Sequence, residues 1–120
     1  MNITVHAFGG TQIAEMQSKG IIIRSARDAD NILEQLFERK IQKLILHERN
    51  LCPEFWQLSN GLAGEILQKF TNHTVAVAFV GEFDLYKSKS LKAFINESNL
   101  GNQVIFADTV ELAELGLSKQ

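Results

Sequence analysis

Seven consecutive residues, Thr74-Val75-Ala76-Val77-Ala78-Phe79-Val80, carry no charge and are rich in β-branched side chains. A strand with one wet face alternates apolar and polar residues. A continuously apolar one has both faces covered. The run therefore reads as a central strand in parallel pairing, ended by Gly81. Parallel neighbours need crossover connections, so the remaining chain has to supply strands alternating with helices.

It does so in order. Ile3, Val5 and Phe8 alternate with Thr4 and His6 as a half-buried strand, and Gly9-Gly10 makes a tight turn. Ile13 and Met16 belong to a second strand, and Ile21-Ile22-Ile23 to a third short one, giving an N-terminal antiparallel piece. Ser25 caps a helix with Asp28 in its first turn, and Ala26, Ala29, Ile32, Leu33, Leu36 and Phe37 form its apolar stripe. Gln42 to Leu46 is the next strand. Pro53 starts a short turn of helix to Trp56, and a longer helix covers Gly61 to Phe70. Ser88 to Ser98 is helical, with Gly101 as its stop. Val104 to Ala107 is the last strand. Asp108 and Glu111 have capping-box spacing for a final helix to about Leu115, closed by Gly116. Such alternation implies right-handed crossovers and a mainly parallel sheet. The 120 residues form one α/β domain, with a mixed sheet of about five strands, helices packed on it and an N-terminal β-hairpin.

Bulk properties narrow the function. A formal net charge of −2 gives no basic face for nucleic acid. Cys52 is the sole cysteine, which excludes an intrachain disulfide and fits a reducing, cytoplasmic setting. The first residues lack the basic and apolar regions of a signal peptide, and no apolar run approaches the ~20 residues of a membrane span. No cofactor fingerprint is present. His47-Glu48 lacks the second histidine of a zinc helix because position 51 is Leu51, and His6 and His73 give no ligand spacing.

The polar residues worth weighing gather after the strand Lys43-Leu44-Ile45-Leu46. His47-Glu48-Arg49-Asn50 leave its carboxyl end, the edge at which α/β sheets usually bind ligands. His47 and Glu48 could act as an acid–base pair, although neighbours on a strand point to opposite faces. The structural alternative is that Glu48 holds the loop by pairing with Arg49 or a helix N-terminus. Gly61 and Gly64 could present backbone N–H groups to an anion, or let the helix pack closely on the sheet. Ser88, Lys89 and Ser90 with Lys87 could bind an anion, or Ser88 could simply cap its helix. Cys52 could be a nucleophile assisted by His47, or a buried thiol. Phe55, Trp56 and Phe83 either form an exposed partner surface or cover the end of the sheet.

The turn Ser59-Asn60-Gly61-Leu62-Ala63-Gly64, followed by Val75 to Val80, Val104 to Ala107 and Thr109-Val110-Glu111-Leu112-Ala113, is similar to the STAS pattern, which includes bacterial anti-sigma-factor antagonists. That resemblance implies a STAS-like fold. Leu58 stands where those proteins carry an aspartate, and Asn60 where regulated members are phosphorylated, leaving Ser59 as the nearest hydroxyl. Over its whole length the chain resembles a family of small bacterial proteins, domain of unknown function 4180. Leu46-His47-Glu48-Arg49-Asn50-Leu51, Gly61 to Phe70, Val80-Gly81-Glu82-Phe83 and Ser88-Lys89-Ser90-Leu91 carry that likeness, which brings no established activity.

The expectation is a non-enzymatic regulatory module with a protein partner, without cofactor, metal, nucleic acid or membrane contact. Its surface comprises His47, Glu48, Arg49, Asn50, Ser59, Asn60, Gly61 and Glu82. Alternatives are a small anionic ligand, such as a nucleotide or phosphometabolite, at the same edge, or catalysis by His47 and Glu48. The N-terminal hairpin offers an edge through which a homodimer could form.

Overall fold

The central apolar run forms a strand flanked on both sides. In the computed structural model, which describes residues 2–119, five strands lie in the sheet in chain order: β1 (Ile3–Phe8), β2 (Thr11–Met16), β3 (Lys43–His47), β4 (Ala76–Val80) and β5 (Val104–Ala107). Only the β1–β2 hairpin is antiparallel; β2–β3, β3–β4 and β4–β5 are parallel. Val77, Ala78 and Phe79 are fully buried, as a strand covered on both faces requires. The strand begins later than expected, because Thr74 has a φ of 54° and breaks the extended run.

Three crossover helices, α1 (Ala26–Arg39), α2 (Leu62–Asn72) and α3 (Lys89–Leu100), share one face of the sheet. Ile32, Leu36, Ile66, Phe70 and Leu91 bury there against Met16, Leu44, Leu46, Val77 and Phe79. The last helix, α4 (Val110–Ser118), lies on the other face, where Ala113 and Leu117 meet Ile13, Ile45, Ala76 and Ala78. Among the described residues, no helix is long and apolar enough to cross a membrane.

Four local expectations need correction. Ile21-Ile22-Ile23 is not a strand and makes only one bridge, Ile23 with Leu51. β2 is already paired on both sides, so no ladder position remains for it. Phe37 is 84% exposed; it sits about 100° round the helix from Leu36 and leaves the stripe. At α4 the cap is Thr109, whose side chain accepts from the Leu112 N–H at 3.1 Å, rather than Asp108. The helix also runs past Gly116. A Cβ there would lie 3.2 Å from Ile105, so the glycine permits a close approach of helix to sheet.

Candidate functional site

Where β3 ends, successive side chains separate to opposite sides. His47 continues the α4-facing alternation and is hydrogen-bonded to Glu15, with Nε2 2.6 Å from Oε2. Glu48 turns the other way in a short 3₁₀ turn, Glu48–Asn50. Its carboxylate accepts from the Glu82 N–H at 3.2 Å and from the Tyr86 hydroxyl. His47 and Glu48 therefore belong to two separate networks.

The Glu48 network sits on Gly81. A Cβ at that position would fall 2.5 Å from a Glu48 carboxylate oxygen and 2.6 Å from its Cβ, so the backbone after β4 forms the bed of the carboxylate. Burial, then the hydrogen bond from its hydroxyl to Glu48 and the nearby charge, push the Tyr86 phenol well above the usual tyrosine range. Tyr86 is thus a fixed donor. Glu48, Arg49, Val80, Gly81, Glu82, Leu85 and Tyr86 line a cleft of about 360 Å³. Arg49 and Glu82 are exposed at its rim, and Leu85 is 71% exposed. Arg49 is steadied by an Nε–H···O bond of 3.1 Å to the Ser18 carbonyl.

Asn50 is fully buried. Its amide donates to the carbonyls of Ser18 at 3.1 Å and Gly20 at 3.0 Å, and its Oδ1 accepts from the His47 N–H at 2.8 Å. Its own carbonyl accepts from Ile22 and Ile23. One residue, by side chain and backbone together, thereby ties residues 18–23 across the end of β3. Asn50 is a fastener beneath the site rather than part of its exposed surface.

Ser59, Asn60 and Gly61 are exposed and do not line the cleft. Asn60 accepts from the Leu62 N–H and donates to the Glu54 carbonyl, both at 2.9 Å, fixing the entry to α2. Gly61 has a φ of 79°, which explains the glycine there. A Cβ at Gly64 would meet nothing within 4 Å, so close packing does not require that glycine. Ser88 caps α3 by accepting from the Leu91 N–H at 3.2 Å. Phe55, Trp56 and Phe83 are buried and cover the sheet end, with Trp56 against Phe79, Phe83, Tyr86 and Phe106. The buried Cys52 thiol belongs to the core on the α1–α3 side. His47 faces Glu15 instead.

The sequence reading missed Glu15, Tyr86 and Glu114. Pairing of β1 with β2 places His6 near Glu15, and the parallel register sets Glu15 beside Ile45, two residues before His47. Glu15 thereby bridges both imidazoles, 2.7 Å to His6 and 2.6 Å to His47, while Glu114 of α4 lies 3.5 Å from His6. A single charged residue between apolar strand positions, Glu15 in Ile13-Ala14-Glu15-Met16, was the available signal. Among the described residues, no group of three or more histidine, cysteine or acidic side chains is arranged to hold a metal ion.

Comparison with curated proteins and with solved structures gives no match. Residues 8–117 match a domain of unknown function, DUF4180, and cover most of the chain. The chain therefore belongs to the DUF4180 family.

Proposed function

We propose that this protein is a non-enzymatic regulatory module that docks a protein partner at the carboxyl edge of β3 and β4. The observation that carries the reading is the cleft beside Leu85. An apolar side chain, Leu85, 71% exposed, lines it together with the Arg49 guanidinium, the Glu82 carboxylate, Glu48, Gly81 and Tyr86. An apolar anchor with a charged rim on a rigid base is the usual anatomy of a small docking surface. The reading is also motivated by the resemblance of the Ser59-to-Gly64 turn to STAS modules, and by the reducing, cytoplasmic setting that fits one cysteine.

Affinity capture from the native host tests it, using wild type, Leu85→Asp, and Phe37→Asp as an exposed control far from the cleft. A partner kept by wild type and Phe37→Asp but lost with Leu85→Asp supports the surface. Capture unchanged by Leu85→Asp sinks it.

The exposed Arg49 guanidinium favours a second reading, a small anionic ligand such as a nucleotide or phosphometabolite. Two carboxylates, Glu48 and Glu82, share the cleft with that one cation, which makes it poorer ground for a phosphate. A thermal-shift series with inorganic phosphate and nucleotides tests this reading; no shift across the series would remove it.

A further inference from the structure

Away from the cleft, the far edge of the sheet has a feature the proposed docking surface does not use. Among the described residues, β5 pairs with β4 alone. The Val77 N–H bonds to the Gln103 carbonyl and the Gly81 N–H to that of Ala107, which turns the peptide groups of Val104 and Phe106 outward. At Phe106 those groups are already engaged, by a side chain. The Asn99 carboxamide of α3 accepts from the Phe106 N–H at 2.8 Å and donates to the Phe106 carbonyl at 3.3 Å. One amide thus makes both bonds that the peptide of an added strand would make.

Beside this edge runs a groove of about 680 Å³ between α3 and α4. Ile95 and Leu100 line its α3 side and Ile105 and Leu112 its α4 side, with Leu100 88% and Leu112 51% exposed. Apolar side chains stand in both walls among polar ones such as Asn96 and Asn102, so a strand whose alternate side chains point each way meets an apolar contact on either face. Charge sets the polarity. Asp84 and Asp108 mark the carboxyl end of the edge and Lys119 the other, because α4 runs back along β5.

We propose that β5 is a strand-addition site for an extended segment of a partner protein, apolar on both faces and basic where it meets Asp84 and Asp108. Asn99 holds the place of that segment until it arrives. A second copy of this chain is the poorer occupant, since pairing β5 with β5 displaces two asparagines for one shared ladder.

The test is fluorescence anisotropy with a labelled hexapeptide of alternating valine and isoleucine, apolar on both faces, extended by two lysines at one end, and the same peptide with glutamates for the lysines. Wild type is expected to bind the lysine peptide, and Asn99→Ala to bind it about threefold or more tightly, because no internal hydrogen bonds need displacing. Val104→Pro, which deletes one outward N–H at the first position of the strand, is expected to weaken binding about threefold or more. The glutamate peptide is expected not to bind. The proposal is overturned if neither wild type nor Asn99→Ala binds the lysine peptide, or if Val104→Pro leaves binding unchanged. It is also overturned if Asn99→Ala dimerises in sedimentation without gaining peptide affinity. Should circular dichroism show that Asn99→Ala is unfolded, wild type against Val104→Pro decides the matter.

Discussion

The backbone of Gly81 lies directly against the side chain of Glu48, so close that a methyl group on residue 81 would stand 2.5 Å from a carboxylate oxygen. The obstacle includes the Glu48 Cβ at 2.6 Å, which cannot swing aside as the end of a long side chain can. Gly81→Ala is expected to expel the carboxylate from its bed and cost about 1–3 kcal/mol in a denaturant titration. In a Glu48→Ala background the same substitution should cost less, and a double-mutant cycle measures the difference. Equal costs in both backgrounds would show that the two residues are independent.

Tyr86 donates to that carboxylate and is the sole tyrosine, so its ionisation can be followed alone by phenolate absorbance. Burial first, then the bond to Glu48 and its charge, raise the pKa of the phenol. Folding favours the protonated form. Its contribution is complete below the ordinary tyrosine value of about 10 and declines as the pH rises past that value towards the folded one. The phenolate band of the native protein is therefore expected at higher pH than that of free tyrosine. Tyr86→Phe should flatten the loss of stability in that alkaline range. A native titration coinciding with that of free tyrosine would refute the assignment.

Asn50 satisfies three backbone groups with one buried amide. Asn50→Ala strands the His47 N–H and takes one donor each from the carbonyls of Gly20 and of Ser18, which keeps the Arg49 Nε–H, and is expected to cost about 1–3 kcal/mol by urea unfolding. Asn50→Asp retains the acceptor but sets a carboxylate against two carbonyl oxygens, and should cost at least as much. Amide exchange is expected to accelerate at Ile22, Ile23 and Cys52, whose N–H groups hold residues 18–24 in place.

Glu15 serves two imidazoles at once, so neither histidine should act independently of it. Double-mutant cycles of Glu15→Gln with His6→Ala and with His47→Ala are each expected to show a coupling of about 0.5 kcal/mol or more. Additive losses would mean that the contacts carry no energy.

The start of α4 separates two adjacent capping candidates. Thr109→Ala removes the side chain that accepts from Leu112 and should cost about 1 kcal/mol, whereas Asp108→Ala should change stability by a few tenths. Thermal unfolding of the two variants compares them directly.

Repeating local signals made the elements legible. Ser25 before Asp28 placed α1, and Thr74 to Val80 placed the central strand to within two residues, because capping and period act over short spans. Ile21 to Ile23 misled for the converse reason. Three β-branched residues favour extension, but whether a strand forms depends on a free edge, and β2 had none. Arg49, Glu48 and Glu82 could be gathered from their places after consecutive strands. Tyr86 could not, since it reaches Glu48 across a separation of 38 residues. His6 looked isolated because its partner stands across a hairpin and the next imidazole lies beyond a helical crossover.

The sheet keeps the order of the chain from β1 to β5. Each strand can dock on one already in place, so no pairing has to span more than one crossover, and the sheet can grow by accretion from the hairpin outward, each parallel step waiting on closure of its crossover. The second face is different. Ile13, Ile45, Ala76 and Ala78 come from three strands and gain their helical cover only when α4 arrives. During synthesis, an apolar surface therefore persists after the sheet itself is built, and the interval before α4 docks is when this chain is most open to mispairing.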